Sequence, residues 1–117
     1  MRTSSAKRRA SLRPVLRRRR FSDVIARQLD LFEQDHAELI RESEDAERAY
    51  DRGPRDDAEE RYGDYQDVVE TATEILADLR DHFAATLDDE AAERYESEFN
   101  RAVAERLPRF SLEIENR

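Results

Sequence analysis

The sequence is poor in residues that cross-link or interrupt a chain. It has no cysteine, two glycines and three prolines among 117 residues. Without cysteine there are no disulfides, no thiolate zinc ligands and no thiol nucleophile. Two isolated glycines cannot build a glycine-rich phosphate loop, and no serine or threonine lies in a nucleophile elbow. We therefore predict a protein that is not an enzyme, and the shortage of breakers favours a few long helices over many short strands.

Long apolar runs are also missing, because none is longer than about four residues, even in "HFAATL". A membrane-spanning helix needs about 20 apolar residues, and a secretory signal needs a core of roughly 7–15. We expect neither, and we predict a cytoplasmic protein that makes no membrane contact. The arginine-rich, acid-free start of the chain also fits an organellar transit peptide. The sequence leaves that alternative open.

Charged residues make up 43% of the chain, and they are divided unevenly. Residues 1–20 carry nine positive charges and no negative charge, whereas residues 21–117 carry 12 positive and 29 negative charges, a net charge of −17. The acidic body repels nucleic acid and anionic membranes, so nucleic-acid binding would have to come from the basic arm alone. The arm has no aromatic interleaving and no reading module, so such binding would be non-specific. The arginines that would carry it are Arg8, Arg9, Arg17, Arg18, Arg19 and Arg20.

Two other interpretations of residues 1–20 stay open beside nucleic-acid binding. Blocks of like charge are typical of disordered, solvated tails. Alternatively, Val15 is the true translation start, in which case residues 1–14 are not part of the protein. We predict that the folded part begins near Phe21 under each interpretation, because the helical pattern starts there.

Apolar residues after Phe21 recur at alternating spacings of four and three, the signature of helices with one buried stripe. The first stripe runs from Ile25 to Tyr50 and predicts a helix over about 22–52. The motif "DRGPRDD" ends it, with Gly53 expected as a left-handed C-terminal cap. Further stripes predict a second helix over about 56–87 and a third over about 89–107, each capped by an aspartate. The fold class is therefore all-α.

A short loop between two long helices predicts an antiparallel hairpin, each arm about 45 Å long. The third helix, about 28 Å long, completes a three-helix bundle over residues 21–108 but leaves the loop end of the hairpin uncovered. Tyr50, Tyr62 and Tyr65 lie near that end. Uncovered apolar surface is usually buried by a partner, so we expect a homodimer. The alternative is a monomer whose tyrosines shield the thin end, with their hydroxyl groups in water.

Residues 109–117 form a C-terminal tail in which apolar and polar residues alternate. Period two favours an extended segment with one apolar face made of Phe110, Leu112 and Ile114, a second candidate surface for a partner. The helical alternative pairs Phe110 with Ile114 one turn apart.

Glu33 and His36 lie three residues apart on one helix face, the spacing that di-iron carboxylate bundles use for a ligand pair. A glutamate near a histidine arises easily by chance in so acidic a chain. We therefore predict that His36 packs in the helical stripe and that the protein has no cofactor. Metal binding through these two residues is retained as an alternative. The acidic helix faces are expected to be solvated, the alternative being a docking surface for a basic partner.

These observations lead to one main prediction and two alternatives. We predict a non-enzymatic helical protein that acts by protein–protein association and self-associates. The first alternative is non-specific nucleic-acid binding through the arm, and the second is a metal-binding helical bundle that uses Glu33 and His36.

Overall fold

The structure, a computed structural model, describes residues 21–117. The six arginines of the nucleic-acid alternative and the proposed start at Val15 therefore lie outside the described residues. The described part is all helical, which confirms the predicted class. Its five helices are α1 (residues 21–35), α2 (Ala37–Arg52), α3 (Ala58–Ala84), α4 (Asp89–Arg106) and α5 (Ser111–Glu115), with short 3-10 turns at Arg55–Asp57 and Pro108–Phe110.

Helices α1 and α2 replace the single first helix that the sequence predicts. They are separated only by His36, whose backbone leaves the helical region at φ −123° and ψ 33°. The His36 N–H still donates to the Phe32 carbonyl over 2.9 Å, and the Ile40 N–H donates to the His36 carbonyl over 3.1 Å. The interruption is therefore a local distortion inside a nearly continuous rod.

The turn at Gly53 differs from the prediction. Gly53 has φ −72° and ψ 160°, an extended conformation, so the expected left-handed cap is wrong. Glycine is needed here for a close approach instead. A Cβ atom at this position would lie 2.6 Å from the Arg61 side chain and 2.7 Å from the Ala49 carbonyl oxygen. The Gly53 N–H donates to that same carbonyl over 2.9 Å, which fixes the chain against the end of α2.

The helix starts also follow local chemistry, although only one of them uses an aspartate side chain. Pro54 leads into the 3-10 turn, and Asp57 precedes α3 without making a side-chain cap hydrogen bond. Asp88 caps α4 as expected, because its carboxylate accepts from the Ala91 N–H at 2.9 Å. The predicted capping aspartate is thus confirmed for α4 and wrong for α3.

The core lies where α1, α3 and α4 meet. Tyr95 of α4 is fully buried, and its ring contacts Phe21, Phe83 and Phe99 with centroids 4.6–5.9 Å apart. Its hydroxyl donates to the Gln28 side-chain oxygen over 2.7 Å, so the buried phenol has a partner. Burial raises the pKa of Tyr95 to about 12.

Helix α4 runs in the same direction as α1, because Tyr95 in its first half contacts Phe21 and Gln28, whereas Arg106 at its end contacts Glu33. Arg106 donates to the Glu33 carboxylate through Nε and Nη2, over 3.2 and 2.8 Å, and it also binds Asp30. These ion pairs raise the pKa of Arg106 above its ordinary value. They fix the register of α4 against α1 across 73 residues of sequence.

The C-terminal tail is helical, so the predicted extended conformation is wrong. Phe110 and Ile114 are fully buried, one helical turn apart, whereas Leu112 points outward with 71% of its surface exposed. The Phe110 ring packs edge-on against Phe32 at 6.5 Å. The helical conformation is more favourable than the extended one, because it pairs Phe110 with Ile114 and puts both large side chains into the core.

Candidate interaction surfaces

The C-terminal part of the chain binds the hairpin at Glu47. Arg109 donates to both carboxylate oxygens of Glu47, over 3.1 Å each, and the Tyr65 hydroxyl donates to one of them over 3.4 Å. The hydrogen bonds from Arg109 lower the pKa of Glu47, partly opposed by desolvation. Burial and the nearby Glu47 charge raise the pKa of the Tyr65 hydroxyl. Tyr65 is therefore held within the chain and is only partly accessible.

Beyond this contact lies the hairpin tip, which we define as residues 48–64. Of α3, α4 and α5, only α3 packs substantially against α2. At the tip Tyr50 and Tyr62 contact each other with ring centroids 5.4 Å apart and planes inclined by 49°. They remain 40% and 45% exposed. The structure thus brings together two of the three tyrosines that the sequence nominated and leaves the third beside Glu47.

The tail surface that the sequence nominated is largely inside the protein. Phe110 and Ile114 have no exposed surface, so neither side chain is available to a partner. They are buried because the tail is helical and its inner face packs against α3 and α4. Leu112 alone keeps its accessibility.

The two metal candidates are engaged in other contacts. The Glu33 carboxylate binds Arg106, and the His36 ring lies against Phe32 with centroids 5.4 Å apart. Within residues 21–117, no group of three or more histidine, cysteine, aspartate or glutamate side chains is placed to hold a metal ion. The expected packing of His36 in the stripe agrees with its ring contact and its partial burial.

Sequence reasoning missed one buried charge, Arg80, which is only 4% exposed. Its Nη1 donates to the Asn100 side-chain oxygen at 2.9 Å and to the Ile114 carbonyl at 3.1 Å, and its Nε donates to Asp81 at 2.9 Å. Arg80 thereby ties α3 to α4 and α5. The available signal was its position four residues after Leu76, on the buried face of the stripe.

A groove of about 310 Å³ runs between α1 and α3, away from the tip. Its apolar surface comes from Leu31, Phe32, Ile75 and Leu79. Leu31 is 50% exposed, so the groove keeps apolar surface in contact with solvent. Asp35, His36, Asp78 and His82 lie on the rim of this groove.

None of the helices among the described residues is long and apolar enough to cross a membrane. No protein-family model matches the sequence, and the searches of curated proteins and of solved structures give no match either.

Proposed function

We propose that this chain is a non-enzymatic association module that binds a second copy of itself through the hairpin tip. The observation that carries the proposal is the exposed Tyr50–Tyr62 pair on a stretch where, of α3, α4 and α5, only α3 packs substantially against α2. A two-helix pair has a wide face without cover, and a second pair laid across it makes a four-helix arrangement. A two-fold axis through the tip would let each tyrosine pair pack on the other copy.

Charge supports a second copy as the occupant. The tip, residues 48–64, carries four arginines and six acids, a net charge of −2, whereas residues 21–117 as a whole carry −17. Two acidic chains repel each other over most of their surfaces, and the near balance of arginines and acids keeps that repulsion small at the tip. Acids and arginines of one tip can also pair with those of the other. Because long-range repulsion is screened by salt, self-association should strengthen as the ionic strength rises.

Sedimentation equilibrium of the full chain tests the proposal. Over roughly 5–100 µM protein, a monomer–dimer equilibrium is expected for the wild type. The double substitution Tyr50→Gln and Tyr62→Gln keeps good helix formers while removing the aromatic surface. It should raise the dissociation constant about ten-fold or more, since each buried aromatic side chain contributes a few kcal/mol.

The matched control is Leu112→Gln, which removes a more exposed apolar side chain on α5. This variant should dimerise like the wild type. Circular dichroism must show equal helix content in all three proteins. A wild type that stays monomeric throughout the concentration range, or a double variant with unchanged dimerisation, would refute tip-mediated association.

A further inference from the structure

The groove between α1 and α3 lies away from the hairpin tip. His36 and Tyr50 are 14 residues apart along the nearly continuous α1–α2 rod, which corresponds to about 21 Å. The groove follows α1 from Gln28 to His36, eight residues or about 12 Å. That length matches roughly two turns of a helix lying alongside.

The charged side chains that line the groove are all negative. Its charged lining side chains are the carboxylates of Asp35 and Asp78, and no lysine or arginine lines it among the described residues. Two other grooves differ in this respect. The groove between α1 and α4, about 790 Å³, includes Arg94 and Arg101, and a third groove beside Pro108 includes Arg41. An apolar surface with an acidic rim is thus particular to the α1–α3 groove among these three.

His82 adds a directional feature to the rim. Its Nδ1 lies 2.8 Å from the Asp78 carbonyl oxygen. A carbonyl can only accept, so the His82 ring donates to it from Nδ1. The rim therefore offers the two carboxylates of Asp35 and Asp78 to hydrogen-bond donors, above an apolar surface.

From these features we propose that the α1–α3 groove binds an amphipathic helix of a partner protein that carries lysine or arginine on both sides of its apolar face. Leucine-sized side chains of the partner lie between Leu31 and Leu79, as in other helix-in-groove complexes. The flanking cations approach Asp35 and Asp78, where charge complementarity sets the orientation and excludes acidic helices. This interaction is independent of self-association at the tip.

The test uses a labelled synthetic peptide of about 14 residues, roughly four helical turns, with leucines spaced three and four apart and lysines at both ends. Its matched control carries glutamates in place of the lysines. Titration of the full-length protein, followed by fluorescence anisotropy, should show binding of the lysine peptide only. Raising sodium chloride from about 50 to about 300 mM should weaken that binding.

Variants locate the peptide on the groove. Leu31→Gln should weaken binding about ten-fold or more, whereas Leu112→Gln should leave it unchanged. The double variant Asp35→Asn and Asp78→Asn should weaken binding and flatten its salt dependence. The tip variant Tyr50→Gln, Tyr62→Gln should bind the peptide like the wild type, so that failure of self-association and failure of the groove are told apart.

Three results would overturn the groove proposal. The first is equal binding of the lysine and glutamate peptides, which would mean that the acidic rim selects nothing. The second is unchanged binding by the Leu31→Gln variant, or loss of binding by the tip variant. The third is no anisotropy change at about 200 µM protein.

Discussion

Replacing Arg80 probes the contact that ties the short C-terminal helices to the hairpin. The side chain is 4% exposed, and its two hydrogen bonds from Nη1 reach Asn100 on α4 and Ile114 on α5. The third acceptor, Asp81, has a side chain that is 56% exposed, so water can replace Arg80 there. The loss on substitution therefore comes mainly from Asn100 and from the Ile114 carbonyl.

The magnitude depends on which substitution is made. A hydrogen bond from a charged donor contributes roughly 1.5–3 kcal/mol, and Arg80 makes two such bonds to poorly hydrated acceptors. Removing a buried charge also removes its desolvation penalty, which offsets part of the loss. We expect Arg80→Met, which keeps the apolar stem, to lower the free energy of unfolding by about 2 kcal/mol. Arg80→Ala adds a cavity and should lower it by about 4 kcal/mol.

Urea unfolding followed by circular dichroism measures both values, with the slope of the transition checked for two-state behaviour. Arg94→Met is the matched control, because Arg94 is 41% exposed and lies 4.0 Å from an even more exposed Glu90. Its effect should be below about 0.5 kcal/mol. If Arg80→Met were as stable as the wild type, the desolvation cost would equal the hydrogen-bond gain, and Arg80 would not hold the C-terminal helices in place.

Four further substitutions test other parts of the fold. Gly53→Ala should destabilise the protein by about 1–3 kcal/mol, because its Cβ would collide with a backbone carbonyl. Gly63→Ala has open space around its Cβ and should stabilise the protein by up to about 1 kcal/mol. Thermal melts show whether each substitution lowers or raises the melting temperature. Because the pKa of Glu47 is lowered, its pairing with Arg109 stabilises the fold above pH 4.5. This contribution is lost as the pH falls through the lower pKa of the folded state. The stability difference between wild type and Glu47→Gln should therefore shrink below pH 4.5. The raised pKa of Tyr95 acts in the opposite direction: its stabilisation is complete below about pH 10 and is lost towards about 12, and Tyr95→Phe should remove the latest step of a 295 nm absorbance titration. Unchanged acid sensitivity in Glu47→Gln, or a late ionisation that persists in Tyr95→Phe, would contradict these assignments.

Local rules account for most of the helices. Alternating spacings of four and three placed Leu76, Tyr95 and Phe99 on buried faces, and all three are fully buried. The same rule included Ser43, a weak core residue by composition, and it is buried too, with its hydroxyl donating to the Ile40 carbonyl over 2.6 Å. Periodicity succeeds here because a chain with few apolar residues can bury them only on narrow stripes.

The sequence could not predict which charged residues pair over long distances in the chain, because too many pairings are possible. Residues 21–117 hold 12 basic and 29 acidic residues, so very many ion pairs are possible, and spacing alone does not select Arg106 with Glu33 or Arg109 with Glu47. The prediction for the tail was wrong for a different reason. Its nine residues are too few to distinguish the period-two pattern of an extended segment from one helical turn. Of the candidate surfaces, the sequence nominated the tyrosines but not the groove, because the groove depends on how α1 and α3 are set against each other.

The arginine contacts also explain why the hairpin tip is left available. Arg80, Arg106 and Arg109 each join the C-terminal part of the chain to the hairpin, and the contact nearest the turn among these three is the one at Glu47. Helix α4 has 18 residues against 27 in α3, so it cannot cover the whole hairpin even when it is fully docked. A second copy would cover that part of the hairpin, and this is why we propose self-association through the tip.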